Sequence, residues 1–381
     1  MNSRRINLAT LLPTLLLIGF GVVMVYSASA VFAATKLHDA TYFLVRQAAF
    51  AVVGVAVLYV TWRMDFRLVR RFALPLGIAV LALLVAVLLP GIGRAGGGAM
   101  RWIPLGPVAL QPGELAKPVL VVLLAGLVAR RRERELEGED TGPLWPMLLV
   151  PGVMMGLLLL EPDFGSAVVL GVLTVVMLFV GGARVSYLLL AVLASLPVVY
   201  HLIASSPYRM RRLMSFLDPW SHRQDIGYQV SESLISIGSG GVSGLGIGDG
   251  RQKLFFLPAA HTDFIFSIIG EELGLIGAIL VIASFACIVI AGIRVTLRAR
   301  TVFGAYLALG LTSLVGLQAI TNMAVTLGLA PTKGLTLPLI SYGGSSLVAT
   351  CFALGLLLSV DATDHGGEVS RTRATAPGGA R

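Results

Sequence analysis

Apolar residues run along this chain in long unbroken blocks, not in the short periodic stretches of a water-soluble domain. About 20 residues cross a ~30 Å hydrocarbon layer. By that measure the blocks predict spans at 8–26, 42–61, 72–90, 110–129, 144–160, 165–182, 185–204, 264–293, 302–328 and 337–360. The expected fold is therefore an all-α polytopic membrane domain of about ten transmembrane helices over 1–360. A polar tail, 361–381, is expected to lack order. The fifth and sixth spans are parted only by the turn Glu161-Pro162-Asp163-Phe164-Gly165.

Composition agrees. Hydrophobic residues make up 56% of the 381 and charged residues 13%, about half the share in a soluble domain. Arg4 and Arg5 precede the first block, and Ser27-Ala28-Ser29-Ala30 resembles a signal-peptidase site. The block exceeds the core of a signal peptide, about 7–15 residues, so it reads as a retained first helix. Cys287 and Cys351 lie within apolar blocks, and the five histidines have no ligand spacing, which points away from a disulfide framework or a protein metal cage.

Basic residues orient the spans. With the N-terminus in the cytoplasm, the inner segments hold Arg63, Arg67, Arg70 and Arg71, then Arg130, Arg131, Arg132 and Arg134, then Arg184, then Arg294, Arg298 and Arg300. The positive-inside rule thus places both termini inside. The outer loop at about 204–262 breaks the pattern with Arg209, Arg211, Arg212, Arg223, Arg251 and Lys253. Long loops translocate regardless of charge. Their arginines suit either anionic headgroups or a phosphorylated substrate, whose oxygens a guanidinium grips with two donors.

Carboxylates gather at the same outer ends, where charge near hydrocarbon marks function by default. Glu114 and Lys117, at i and i+3, can also be a local ion pair. Asp163 can simply cap the sixth span. Asp263 is the strongest candidate. It precedes an apolar run between His261-Thr262 and Phe264-Ile265-Phe266, either as a cap or as a partly desolvated carboxylate with the raised proton affinity of a general base. Glu271 and Glu272 add further charge to that helix. The glycine-rich run 238–250 lacks the context of a P-loop or a dinucleotide fingerprint and reads as a flexible loop. Gly91 to Gly98 reads as a mobile or re-entrant outer segment. Small residues at 341–346 suit close helix approach.

Four stretches resemble one family. Pro331-Thr332-Lys333-Gly334-Leu335-Thr336-Leu337-Pro338-Leu339-Ile340-Ser341-Tyr342-Gly343-Gly344-Ser345-Ser346 is similar to the signature of the SEDS proteins, named for shape, elongation, division and sporulation. So are His261 to Phe266 with Gly270-Glu271-Glu272-Leu273-Gly274, Glu161 to Gly165, and Arg101-Trp102-Ile103 with Gln111 to Lys117, all in the family's order. Val25-Tyr26-Ser27-Ala28-Ser29 and the form of the last stretch around Lys333 resemble the division branch. Ala259 departs from it where many members carry an acidic residue.

The resemblance implies a peptidoglycan glycosyltransferase that polymerises lipid II into β-1,4-linked strands and releases undecaprenyl pyrophosphate. Asp263 would be catalytic. Arg101, Trp102, Glu114, Lys117, Glu161, Asp163, Arg209, Lys333, Ser341 and Ser345 would bind substrate. No intrinsic cofactor is implied, although Mg²⁺ or Mn²⁺ can accompany the pyrophosphate. Implied partners are lipid II, the nascent glycan strand, a class B penicillin-binding protein, other membrane proteins of the division complex and the bilayer, but no nucleic acid. The implied location is the bacterial cytoplasmic membrane at the division septum. An elongation-type polymerase, a lipid II flippase and a noncatalytic scaffold are the alternatives.

Overall fold

In the computed structural model, residues 7–96, 99–106, 108–221, 227–254, 256–332 and 334–374 are described. Ten of the helices correspond to the apolar blocks. They are α1 (Leu8–Leu37), α2 (Tyr42–Arg63), α3 (Phe66–Leu88), α4 (Pro112–Leu136), α5 (Trp145–Leu160), α6 (Phe164–Val180), α7 (Val185–Ala204), α10 (Ile265–Arg298), α11 (Val302–Thr326) and α12 (Gly344–Ala374). Eight are long and apolar enough to cross a membrane, while α5 and α6 are shorter apolar helices. The chain is a multi-pass membrane protein.

Burial separates the helices into inner and outer members. α4 is buried on every side from Pro112 to Ala129, and α11 and α12 are nearly so, as a helix apolar all round must be when it forms the centre of a bundle. α7 buries only Leu188 and turns the rest of its apolar surface outward to the lipid. α2 lies closely along α12, where a Cβ added to Gly355 would sit 2.6 Å from the Leu58 carbonyl oxygen. At the inner end Arg70 forks onto Glu133 at 2.9 and 2.6 Å, which ties α3 to α4.

Several boundaries differ from the expectation. α3 begins at Phe66 instead of 72, because the Asp65 side chain caps it by accepting from the Arg67 N–H at 2.9 Å. α12 begins at Gly344 instead of 337. Residues 334–343 form an irregular outer segment whose Ser341 hydroxyl, not a helical carbonyl, takes the Leu337 N–H. α12 also runs on to Ala374, into the polar tail. The stretch after Gly91 is not a mobile loop. β1 (Arg94–Gly96), β2 (Ala99–Leu105) and β3 (Val108–Leu110) pair there in an antiparallel β1-β2-β3 sheet over the outer ends of α3 and α4.

The 204–262 loop contains two helices, α8 (Pro207–Leu217) and α9 (Tyr228–Gly240). The glycine-rich run that follows α9 is not slack either. α10 is broken at Gly274, whose φ of 64° and ψ of −159° lie outside the helical region. The break opens the helical bonds from the Leu275 and Ile276 N–H groups to the Glu271 and Glu272 carbonyls. The loop replaces all four partners. Leu245 and Gly246 N–H donate to those carbonyls, each at 3.0 Å, while Leu275 and Ile276 N–H donate to the Gly241 and Val242 carbonyls at 2.9 and 3.2 Å. Broken helices persist in a membrane only when protein re-satisfies the freed groups in this way. Glycine is required for the approach, since a Cβ on Gly244 would fall 2.2 Å from the Glu272 oxygen.

Candidate active site

Asp263 lies in the turn that leads into α10, where its N–H donates to the Ala259 carbonyl at 3.1 Å. Asn322 of α11 holds two segments together with one amide, donating to the Asp263 carbonyl at 2.9 Å and the Leu335 carbonyl at 2.6 Å. Two more bonds stitch the segments side by side. Ser341 Oγ donates to the Thr262 carbonyl at 2.5 Å, and the Tyr342 N–H donates to the His261 carbonyl at 2.9 Å. Gly334 lies beneath the carboxylate, with the position of a Cβ only 3.3 Å from Asp263 Oδ2.

A second wall comes from the turn between α5 and α6. Asp163 caps α6, accepting from the Ser166 N–H at 3.1 Å and its hydroxyl at 2.8 Å. Arg101 reaches over from β2 and donates to the Glu161 carbonyl at 3.4 Å and to the Pro162 carbonyl. Gly113, in the first turn of α4, packs against the Asp163 carboxylate. Ser345 joins this wall to α12, accepting from the Gln111 N–H at 3.0 Å and donating to the Ala109 carbonyl at 3.4 Å.

Electrostatics distinguish the acids. Burial raises the Asp263 carboxyl to about 6, against the opposing pull of the Arg212 and Arg101 guanidinium groups. Burial, helped by the charge of Asp163 and opposed by Arg101, raises Glu161 to about 8. Both Glu161 carboxyl oxygens are buried without a hydrogen-bond partner among the described residues. Burial lowers His261 to about 4, so its ring is neutral where it packs against Phe43, Tyr342 and Phe32, with centroids 4.6, 5.8 and 5.9 Å away.

Of the residues singled out in the sequence, Arg101, Glu161, Asp163 and Asp263 gather at this outer end. Trp102 follows Arg101 on β2 and so points to the opposite face of the sheet. Glu114 and Lys117 form the local ion pair, 2.7 Å apart and almost fully buried, beside Gln318 and Thr350. Arg209 turns back to donate to the Leu202 carbonyl at 2.9 Å, with its guanidinium 6.0 Å from the Phe164 ring centroid. The hydroxyls of Ser341 and Ser345 are engaged with backbone and hold the walls. Lys333 lies outside the described residues; its neighbour Thr332 accepts from Arg212 Nη1 at 3.0 Å.

Asn322 and Gly334 were not singled out in the sequence as site residues, and Arg212 stood there only as one of the basic residues of the long loop. Asn322 carried a signal, as an amide within an apolar span. Arg212 carried none that set it apart from Arg209 and Arg211, because the side facing Asp263 depends on how α8 is rotated. Among the described residues no three His, Cys, Asp or Glu side chains converge as a metal cage requires. The arrangement offers a carboxylate that ionises near neutral pH and two guanidinium groups able to receive an anion.

Residues 8–366 match the family described as cell cycle protein, that of FtsW, RodA and SpoVE. A Geobacter metallireducens protein named "Probable peptidoglycan glycosyltransferase FtsW" is 46% identical over 93% of this chain and 94% of its own length. A Legionella pneumophila protein of the same name is 42% identical over 90% and 87%. Among solved structures, a chain of a peptidoglycan synthase complex described as coordinating polymerization and crosslinking aligns with a TM-score of 0.76. Its identity is 28%, over 94% of this chain and 98% of that one. The Thermus thermophilus rod shape determining protein RodA aligns with a TM-score of 0.69 at 28% identity, over 95% and 98%.

Proposed function

This chain belongs to the cell cycle protein family of FtsW, RodA and SpoVE, and from that premise we infer that it is a peptidoglycan glycosyltransferase that polymerises lipid II. The observation that carries the reading is the Asp263 carboxyl, raised to about 6 and facing Arg101 and Arg212 at the outer end of the bundle. A base poised near the working pH is what proton abstraction from a sugar hydroxyl needs. Asp263 takes the proton of the acceptor's 4-hydroxyl as that oxygen attacks the anomeric carbon of the donor. The bond from that carbon to the pyrophosphate oxygen breaks, undecaprenyl pyrophosphate departs, and inversion gives the β-1,4 linkage. Arg101 and Arg212 offset the charge that develops on the departing pyrophosphate.

The names of the relatives favour the division branch, and with it a septal location and a class B penicillin-binding protein as the transpeptidase partner. A flippase would need a polar path onward to the inner face. Beneath the buried Glu114–Lys117 pair and its neighbours Gln318 and Thr350, α4, α11 and α12 present Leu120, Leu124, Leu311, Leu354 and Leu358, all buried. The test is polymerisation of labelled lipid II by the purified protein with its class B partner. Asp263→Ala is expected to abolish glycan strands; strands formed at the parental rate overturn the assignment.

A further inference from the structure

The outer half of α10, Ile265–Leu273, begins two residues after Asp263 and ends at the break at Gly274. Because the break uncouples it from the long inner half, its place depends on lateral contacts. α9 supplies one set. Ser233 Oγ meets Ser267 Oγ at 2.5 Å, and Ser236 Oγ donates to the Ser267 carbonyl at 3.1 Å. The 241–254 loop supplies another, in which Glu271 accepts from the Arg251 and Gln252 N–H groups at 2.7 and 3.2 Å.

A third set is a buried ion pair that bridges to α1. Glu272 accepts from Lys253 Nζ at 2.6 Å and from Ser27 Oγ of α1 at 2.6 and 2.8 Å, and Lys253 also donates to that hydroxyl at 3.2 Å. The two charged side chains are 0% and 5% exposed. A buried ion pair adds little stability over apolar residues of the same size, but its hydrogen bonds impose one register where apolar packing tolerates several. α1 also holds the other end of the segment, where Phe32, five residues after Ser27, packs on the His261 ring. Thus α1 grips the chain on both sides of Asp263.

We propose that Lys253, Glu272 and Ser27 are positioning residues for glycosyl transfer: together they set the height and rotation of the outer half of α10 and, through it, the place of the Asp263 carboxylate. The proposal rests on Asp263 being the base. Among the described residues, the charged or titratable groups facing Asp263 are Arg101 of β2 and Arg212 of α8, with His261 preceding it and Glu161 and Asp163 beyond Arg101. None of them is altered by changes to the trio.

The experiment measures kcat, KM for lipid II and the pH profile of kcat for the purified protein with its class B partner. Glu272→Gln and Lys253→Met are expected to lower kcat at least about tenfold, and Ser27→Ala about threefold, with KM within about twofold, since small misplacements of a reacting group cost rate more than binding. Lys253→Arg restores most of the rate. The acid limb of kcat moves to lower pH by about one unit as water reaches a loosened Asp263. Ser27→Ala removes one hydroxyl and strands no charge, so it carries the test if the other variants fail to fold. Parental kcat with an unmoved acid limb in Ser27→Ala overturns the proposal. Asp263→Asn runs in parallel. If it turns over normally, the base assignment fails; if it is dead while Ser27→Ala is parental, only the positioning role fails.

Discussion

Asp263→Asn exchanges a carboxylate for an amide of nearly the same shape, and the wall contacts at this residue survive because they are main-chain: the N–H to Ala259 and the carbonyl from Asn322. What changes is the charge. The carboxyl is raised from 3.8 to about 6, principally by burial. At about 1.36 kcal/mol per pKa unit, the ionised form costs the folded protein about 3 kcal/mol. The pH dependence follows in sign. Below about pH 4 the group is protonated whether the chain is folded or unfolded, and it makes no difference to stability. Between about 4 and 6 the unfolded chain ionises while the folded one retains its proton, so stability falls as pH rises; above about 6 the loss is complete and constant. The Asn variant does not titrate. Its advantage over the parent should therefore grow from nil near pH 4 to about 3 kcal/mol above pH 6, while its polymerisation is lost. Thermal unfolding of both proteins in detergent from pH 4 to 8, read by intrinsic fluorescence beside a lipid II assay, measures both effects. A gap in unfolding temperature that stays constant across that range, or a parent more stable than the variant at pH 8, would refute the reasoning that Asp263 is held desolvated for its role as base.

Two further outcomes follow from the same physics. Lys117→Met strands the Glu114 carboxylate in the centre of the bundle and should cost about 3–5 kcal/mol, whereas Lys117→Met combined with Glu114→Gln should recover most of that loss, both read by thermal unfolding. Glu161→Gln should leave turnover near pH 7 unchanged, because a carboxyl raised to about 8 is already mostly neutral there; the variant should gain stability over the parent from pH 4.5 to 8 and run parallel above it, and a sharp loss of turnover would show that the ionised form is required.

The legible part of this molecule is the part written in local chemistry. Each apolar block became a helix, since a chain in hydrocarbon must satisfy its own backbone and a helix does so within one segment. The acids and arginines of the four quoted stretches were legible as candidates because charge near lipid is costly to keep. Boundaries failed where a polar side chain or a distant loop took over a backbone group, as Asp65 does at α3 and Ser341 does before α12.

The sequence by itself determined the ten apolar helices and marked Asp263 as a candidate acid, because length, hydropathy and charge act residue by residue. Only the tertiary structure decided the rest. Of the arginines in the long loop, Arg212 and not Arg209 bears on Asp263, which depends on the rotation of α8. Glu271 and Glu272, unexplained charges in an apolar helix, proved to be the clamps on a broken one, holding Arg251, Gln252, Lys253 and Ser27. The glycine run proved to be the backbone that completes that break. Ser27 and Glu272 are 245 positions apart along the chain. Such pairings arise only when packing brings separate segments to hydrogen-bond distance, and no local pattern of hydrophobic and polar residues encodes them.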